Sequence, residues 1–268
     1  MTIRVVVAGA TGWTGSALAK AIAASDDLVL AGGVARSVAG RDIGEANGLA
    51  RIGVPISATL REALATPSDV VIDYTSAEAV KANTLLALAS GRHVVIGTAG
   101  LSAADYREIE AAAKAAGRGV IAAGNFSITA ALLTRFAAEA AKYVPDVEIV
   151  EYAPAGRADL PTGTAREIAE RIAAVRAAPT AVPVADVRGP REGRGAAIGE
   201  GIPVQIHAVR LPSYLLACEV IFGAPDERLS LRHDAGSSAA PYVAGTLLAV
   251  RKVMGMVGLT RGLDRLIG

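Results

Sequence analysis

Seven residues near the start of the chain, Gly9-Ala10-Thr11-Gly12-Trp13-Thr14-Gly15, have the make-up of a phosphate-holding loop. Glycines at three-residue spacing let the backbone turn tightly and bring N–H groups close to a pyrophosphate, at the positive end of a following helix. The loop follows Val5-Val6-Val7-Ala8, a β-branched run that reads as a buried parallel strand, and it precedes a helix expected over Gly15 to Ala24. This placement separates the pattern from an ordinary structural turn. The end of the next expected strand, Leu28 to Val34, bears on the choice of dinucleotide. A ribose 2′-hydroxyl is matched there by an acid and a 2′-phosphate by arginine. The chain reads Gly33-Val34-Ala35-Arg36-Ser37, with no carboxylate before Asp42, which favours NADPH over the alternative, NADH.

A second candidate anion site lies at Thr162-Gly163-Thr164, where a helix is expected from Thr164 to Ala178. Successive N–H groups and two hydroxyls there form a nest for a carboxylate; a plain helix cap after Pro161 is the bland alternative. The three histidines are ambiguous. His93 sits at a strand entry and reads as structural, while His207 and His233 lie in strand patterns and would donate protons only if they faced a cleft. Cys218, the single cysteine, lies in an apolar run and reads as a small core side chain. No metal is expected: the chain has no cysteine-rich site, no His-Glu-x-x-His, and no G-x-x-x-x-G-K-[ST] nucleotide loop.

The elements that must position these groups follow from length and pattern. At roughly 150 residues per domain, 268 residues make one large domain or two modest ones. Hydrophobic residues at 52% supply a sizeable core and rule out wholesale disorder. The balance of 27 Lys and Arg against 26 Asp and Glu argues against nucleic acid as the main partner. Mean hydropathy is +0.40, yet polar residues and glycine interrupt every long apolar window. With no basic leader at the start, a cytoplasmic protein without a membrane partner is expected. Strands at Val5–Ala8, Leu28–Val34, Asp69–Asp73, His93–Ile96 and Gly119–Ala123 alternate with helical segments. That rhythm predicts an α/β, Rossmann-like doubly wound parallel sheet over 1–125, to which 240–268 returns. Residues 126–239 read as a second α+β domain with a mixed or antiparallel sheet, for substrate binding and oligomerisation. It comprises helices at Ile128–Tyr143 and Thr164–Ala178, a strand at Val147–Glu151, a long surface loop over Pro179–Gly201, and an antiparallel meander of Val204–Leu211, Tyr214–Phe222 and Arg228–His233.

Several segments together resemble the 4-hydroxy-tetrahydrodipicolinate reductase family, also called dihydrodipicolinate reductase. They are Asp73-Tyr74-Thr75, Gly97-Thr98-Ala99-Gly100, Gly124-Asn125-Phe126-Ser127, Asp159 to Ala165, and Ile206 to Pro212 with Glu219 to Gly223. The resemblance covers nearly the whole chain in order. It implies nicotinamide-dependent reduction in the diaminopimelate and lysine pathway, by a homotetramer or a dimer. Carried over by position, Gly9, Thr11, Gly12, Trp13, Thr14, Gly15, Arg36, Tyr74 and Thr75 would hold the cofactor. Gly97, Thr98, Ala99, Asn125 and Phe126 would lie near the nicotinamide, and Arg157, Thr162, Gly163 and Thr164 would receive a substrate carboxylate.

The chain departs from the family pattern at one motif, which reads Glu, one residue, His-His, two residues, Lys, one residue, Asp-Ala-Pro-Ser-Gly-Thr-Ala. Here Ala153 and Pro154 stand where the two histidines would be, Arg157 replaces the lysine, and Ser237-Ser238-Ala239 lacks the arginine often found after the last strand. Arginine keeps the charge and grips a carboxylate bidentately but is a very poor general acid. Hydride addition to an already protonated iminium needs no enzymic acid. A conjugated double bond does need a later proton, whose delivery general acid catalysis speeds by about 10²- to 10⁴-fold. Water, Tyr152 or a substrate group would then supply it, making Arg157 and Tyr152 the candidate catalytic residues. The expectation is a reductase for a small carboxylate-bearing imine or conjugated C=C/C=N substrate other than the family's usual one. The alternatives are the ordinary family reaction with a rewired proton path, or an NADPH-binding sensor without catalysis. A short-chain dehydrogenase is disfavoured, since no tyrosine has a lysine four residues on.

Overall fold

The computed structural model describes residues 2–267. In chain order the first half runs β1 (Ile3–Ala8), α1 (Trp13–Ala23), β2 (Leu28–Val34), α2 (Ile43–Ala46), β3 (Ile56–Ser57), α3 (Leu60–Ala63), β4 (Val70–Asp73), α4 (Ala77–Ala89), β5 (His93–Ile96), α5 (Ala103–Ala116) and β6 (Gly119–Ala122). Then follow α6 (Ile128–Ala140), β7 (Val147–Ala153), α7 (Gly163–Ala173), β8 (Ala196–Ile198), β9 (Val204–Arg210), β10 (Leu216–Ala224), β11 (Glu227–Ala235), α8 (Ala240–Val253) and β12 (Gly258–Arg261). Two compact units result, 1–127 with 239–268, and 128–238. Among the described residues, no helix is long and apolar enough to cross a membrane.

The first unit is a seven-stranded sheet of order β12-β6-β5-β4-β1-β2-β3 in which every pairing is parallel. Its central strands are continuous apolar runs, Val5–Ala8, Val70–Ile72 and Val94–Ile96, because helices cover both faces and leave no polar side. Strand β1 lies between β2 and β4, so the direction of winding reverses beside it. In open α/β sheets ligands bind at the carboxyl ends of the strands flanking that reversal. Helix α5 starts as the sequence indicates: the Ser102 hydroxyl accepts the Asp105 N–H at 3.2 Å, and the Asp105 carboxylate accepts the Ser102 N–H at 2.9 Å. Ser102→Ala is therefore expected to lower stability by about 1 kcal/mol, read as a shift of the denaturant midpoint without loss of ligand binding. Strand β12, absent from the sequence reading, extends the sheet beside β6. Four residues, two of them polar or charged, carry too little periodicity to announce an edge strand.

The second unit holds a mixed sheet of order β11-β10-β7-β9-β8. The expected meander is corrected here. Strands β10 and β11 do form an antiparallel hairpin, but β7 sits between β10 and β9 and runs parallel to β9. Sequence neighbours pair by default. Strand β7 takes the centre because its alternation is the cleanest, with Val147, Ile149, Glu151 and Ala153 buried and the residues between them partly exposed. The loop expected over Pro179–Gly201 contains the short strand β8, paired antiparallel with β9. Helix α7 begins one residue earlier than expected and ends at Ala173.

Candidate cofactor cleft and carboxylate site

A cleft of about 820 Å³ opens at the carboxyl ends of β1, β2 and β4. Gly9 and Thr11 line it from the glycine loop, Arg36 and Ser37 from the turn after β2, and Thr75, Ser76, Glu78 and Asn83 from the far wall. The loop is built by close backbone approach. Gly9 holds φ +82°, its carbonyl accepts the Gly12 N–H at 2.9 Å, and a Cβ on Gly15 would lie 2.0 Å from that same oxygen. Gly12 caps α1 with no side-chain hydrogen bond, and the first turn carries no acid. Trp13, Thr14 and Gly15 therefore present their N–H groups without a competing carboxylate, which suits a pyrophosphate. The residues present thus fit a dinucleotide. Trp13 itself is 58% exposed, edge-on to Tyr242 at 5.7 Å.

Asp73, fully buried at the end of β4, organises the floor. Its carboxylate accepts the Thr75 N–H at 3.0 Å, the Thr75 hydroxyl at 2.6 Å, the Thr98 hydroxyl at 2.9 Å and the Asn83 amide at 2.8 Å. The hydroxyls of Thr75 and Thr98 spend their protons there, leaving only acceptor capacity and backbone for a ligand. Tyr74 borders the cleft, but its ring lies against Gly97, where a Cβ would clash, and its hydroxyl bonds Thr246 at 2.9 Å. Burial pushes that phenol well above its usual range. The Phe126 ring is buried in the core, tilted against Tyr74 at 6.3 Å, which leaves its backbone to meet a ligand. The Asn125 side-chain Oδ1 turns back to accept the Ser127 N–H at 2.8 Å. Ala99 follows Thr98 in the loop after β5 and is exposed.

In the second unit, the start of α7 is fixed by Glu151. This carboxylate is 1% exposed and accepts the Thr162 N–H at 2.9 Å, the Thr162 hydroxyl, and the Arg210 guanidinium at 2.7 Å. The expected substrate role of Thr162 is corrected accordingly: its hydroxyl donates to Glu151 and accepts the Ala165 N–H, so neither its proton nor its own N–H is left for a ligand. Arg157 forks onto Asp159, with Nη2 to Oδ2 at 2.9 Å and Nε to Oδ1. Burial would raise the Asp159 carboxyl, but Arg157 and the Gly163 N–H outweigh it and hold the group below the usual carboxylate range. Arg157, Gly163 and Thr164 thus gather at the head of α7, with Asp159 clasped among them.

The expected catalytic role of Tyr152 is corrected as well. Successive residues of a strand point to opposite faces, and Glu151 and Ala153 take the helix-covered face. Tyr152 faces the other way, against Tyr214 at 4.9 Å and under the Arg232 guanidinium at 4.9 Å. It does not point toward the head of α7. His207 shares that outer face and bonds Glu148 at 2.7 Å. His233 points under α6, where its Nδ1 meets the Thr129 hydroxyl at 3.1 Å, and burial lowers its pKa. His93 accepts the Gly119 N–H at 2.9 Å as a structural residue. Cys218 is buried between strands, its thiol pushed up to about 12 chiefly by that burial. Sequence reading missed Asp73, Glu151, Arg210 and Glu78. The signal for the first two was available: an acid on the inward phase of an apolar strand must find donors.

Comparison with known proteins bears on the whole chain. The profile of the dihydrodipicolinate reductase N-terminus matches residues 3–126, and that of its C-terminus residues 129–264. A 4-hydroxy-tetrahydrodipicolinate reductase of Synechococcus elongatus is 41% identical over 272 residues, spanning 99% of this chain and 98% of its own. One from Thermosynechococcus vestitus is 38% identical over 270 residues, spanning 99% and 97%. Among solved structures, a dipicolinate-bound dihydrodipicolinate reductase from Paenisporosarcina superposes with a TM-score of 0.79 at 30% identity, over the full length of both chains. A parallel sheet with a glycine-loop cleft at its switch point and end-to-end likeness in both units lead to one conclusion: the chain belongs to the dihydrodipicolinate reductase family of NAD(P)H-dependent oxidoreductases.

Proposed function

We propose that this protein reduces a small carboxylate-bearing imine, or a conjugated C=N/C=C compound, that differs from the usual substrate of its relatives. The observation that carries this reading is the head of α7, where Arg157 and the first helical N–H surround a carboxylate, that of Asp159, while Ala153 beside it is fully buried and apolar. Bound NAD(P)H supplies the hydride. The chain's own residues hold the cofactor through the glycine loop and Arg36, and orient the substrate's acid group through Arg157 and the Gly163 and Thr164 backbone, an incoming carboxylate sharing or displacing Asp159. No imidazole stands at Ala153 or Pro154 to give a proton, and Tyr152 faces the opposite side of its sheet. A substrate that arrives as a protonated iminium removes that need, because hydride addition neutralises it. The outer sheet face bearing Tyr152, Tyr214 and Arg232 is where the expected homo-oligomer would close.

The ordinary family reaction with a different proton path is the second reading, favoured by 38–41% identity along the full length of the relatives. NADPH oxidation followed by stopped flow separates the two. The first reading expects faster turnover of open-chain or five-membered imino acids than of the relatives' usual intermediate, and the reverse order sinks it. Arg157→Ala should raise KM for the acid substrate about 100-fold, since losing a bidentate charged contact costs about 2–3 kcal/mol. Arg157→Lys should recover only part of this. Equal KM in all three proteins would remove Arg157 from the site.

A further inference from the structure

Among the described residues, two charged side chains line the cleft of the first unit, Arg36 on the turn after β2 and Glu78 on the first turn of α4. Strand β2 ends without the acid that binds a ribose hydroxyl in many sheets of this kind. The opposite wall supplies one. The neighbouring Ser76 hydroxyl holds the Glu78 carboxyl below its usual range, and among the described residues no ion pair joins Glu78 to Arg36. The cleft therefore offers an unneutralised cation from one wall and an anion from the other. A 2′-phosphate is attracted by the first and repelled by the second, whereas a free ribose hydroxyl can donate to the second.

We propose that Glu78 sets the choice between dinucleotides, accepting a hydrogen bond from the adenosine ribose and opposing a 2′-phosphate against the pull of Arg36. This rests on reading the cleft as the dinucleotide site. A merely structural Glu78, complementing the positive end of α4, would affect thermal stability but not ligand choice. ADP-ribose and 2′-phospho-ADP-ribose isolate the adenosine end from the chemistry, and calorimetric titration of the full-length protein at fixed salt reads their affinities.

Glu78→Gln should shift the affinity ratio about tenfold toward 2′-phospho-ADP-ribose, the size of one screened charge contact. Arg36→Leu should shift it about as far the other way. The melting temperature of each variant is measured alongside. An unchanged ratio in Glu78→Gln, with both probes still bound, overturns the proposal and leaves the cleft's assignment standing. Binding of neither probe to the unaltered protein overturns both.

Discussion

Glu151→Ala is expected to destabilise the second unit by about 3–5 kcal/mol, because it leaves the Arg210 guanidinium without its buried partner. The Arg210 side chain is 17% exposed, and it also donates to the carbonyls of Val209 and Asp159. The same substitution strips the Thr162 N–H and hydroxyl of their acceptor, so the cap of α7 loosens with the core. Urea unfolding should show a lower midpoint at unchanged slope, and affinity for a carboxylate ligand should fall with it. Replacing both partners, Glu151→Leu with Arg210→Leu, should recover much of the stability but not the ligand affinity, since no charge is then stranded yet the cap is still lost. A single-variant loss below about 1 kcal/mol would mean that the pair is solvated and does not fix the start of α7.

Gly9→Ala is expected to weaken NAD(P)H binding by at least about 100-fold, an effect of about 3 kcal/mol. At φ +82° an L side chain is already strained, and here a Cβ would stand 2.3 Å from the Tyr74 carbonyl oxygen. Relief requires β1 and β4 to separate at their carboxyl ends or the loop to swing out, and either displaces the N–H groups at the start of α1. Gly40→Ala is the control: it pays a similar dihedral cost at φ +85° but meets nothing within 4 Å. Fluorescence of bound nicotinamide should vanish in the first variant and persist in the second. Equal losses would show that dihedral strain, and not the close approach, governs the loop.

The parallel sheet was legible because its strands are short β-branched runs bounded by glycine, and its helices begin with caps such as Ser102. The glycine loop was legible for the same local reason. Arg36 could be placed from its position after β2, since the end of that strand is fixed by Gly33 and Val34 within the β1 pairing. Strand order in the second unit was not legible, because pairing between β7 and β9 joins segments some fifty residues apart and leaves no local pattern. Nor was the side on which Glu78 would stand: a helix residue reaches the cleft only because α4 follows β4 at the switch point.

The chain's residue order by itself determined which groups are present: a glycine loop after the first strand, an arginine at 157 and a Gly-Thr pair at 163 and 164, and no histidine at Ala153 or Pro154. Only the tertiary structure decided which of them are still available. Thr162 is taken by Glu151, Tyr152 is turned away by the two-residue period of its strand, and Phe126 is withdrawn into the core. The reason is that local sequence fixes a backbone conformation and a periodicity, whereas the partner that uses up a hydrogen bond arrives from a distant strand or helix.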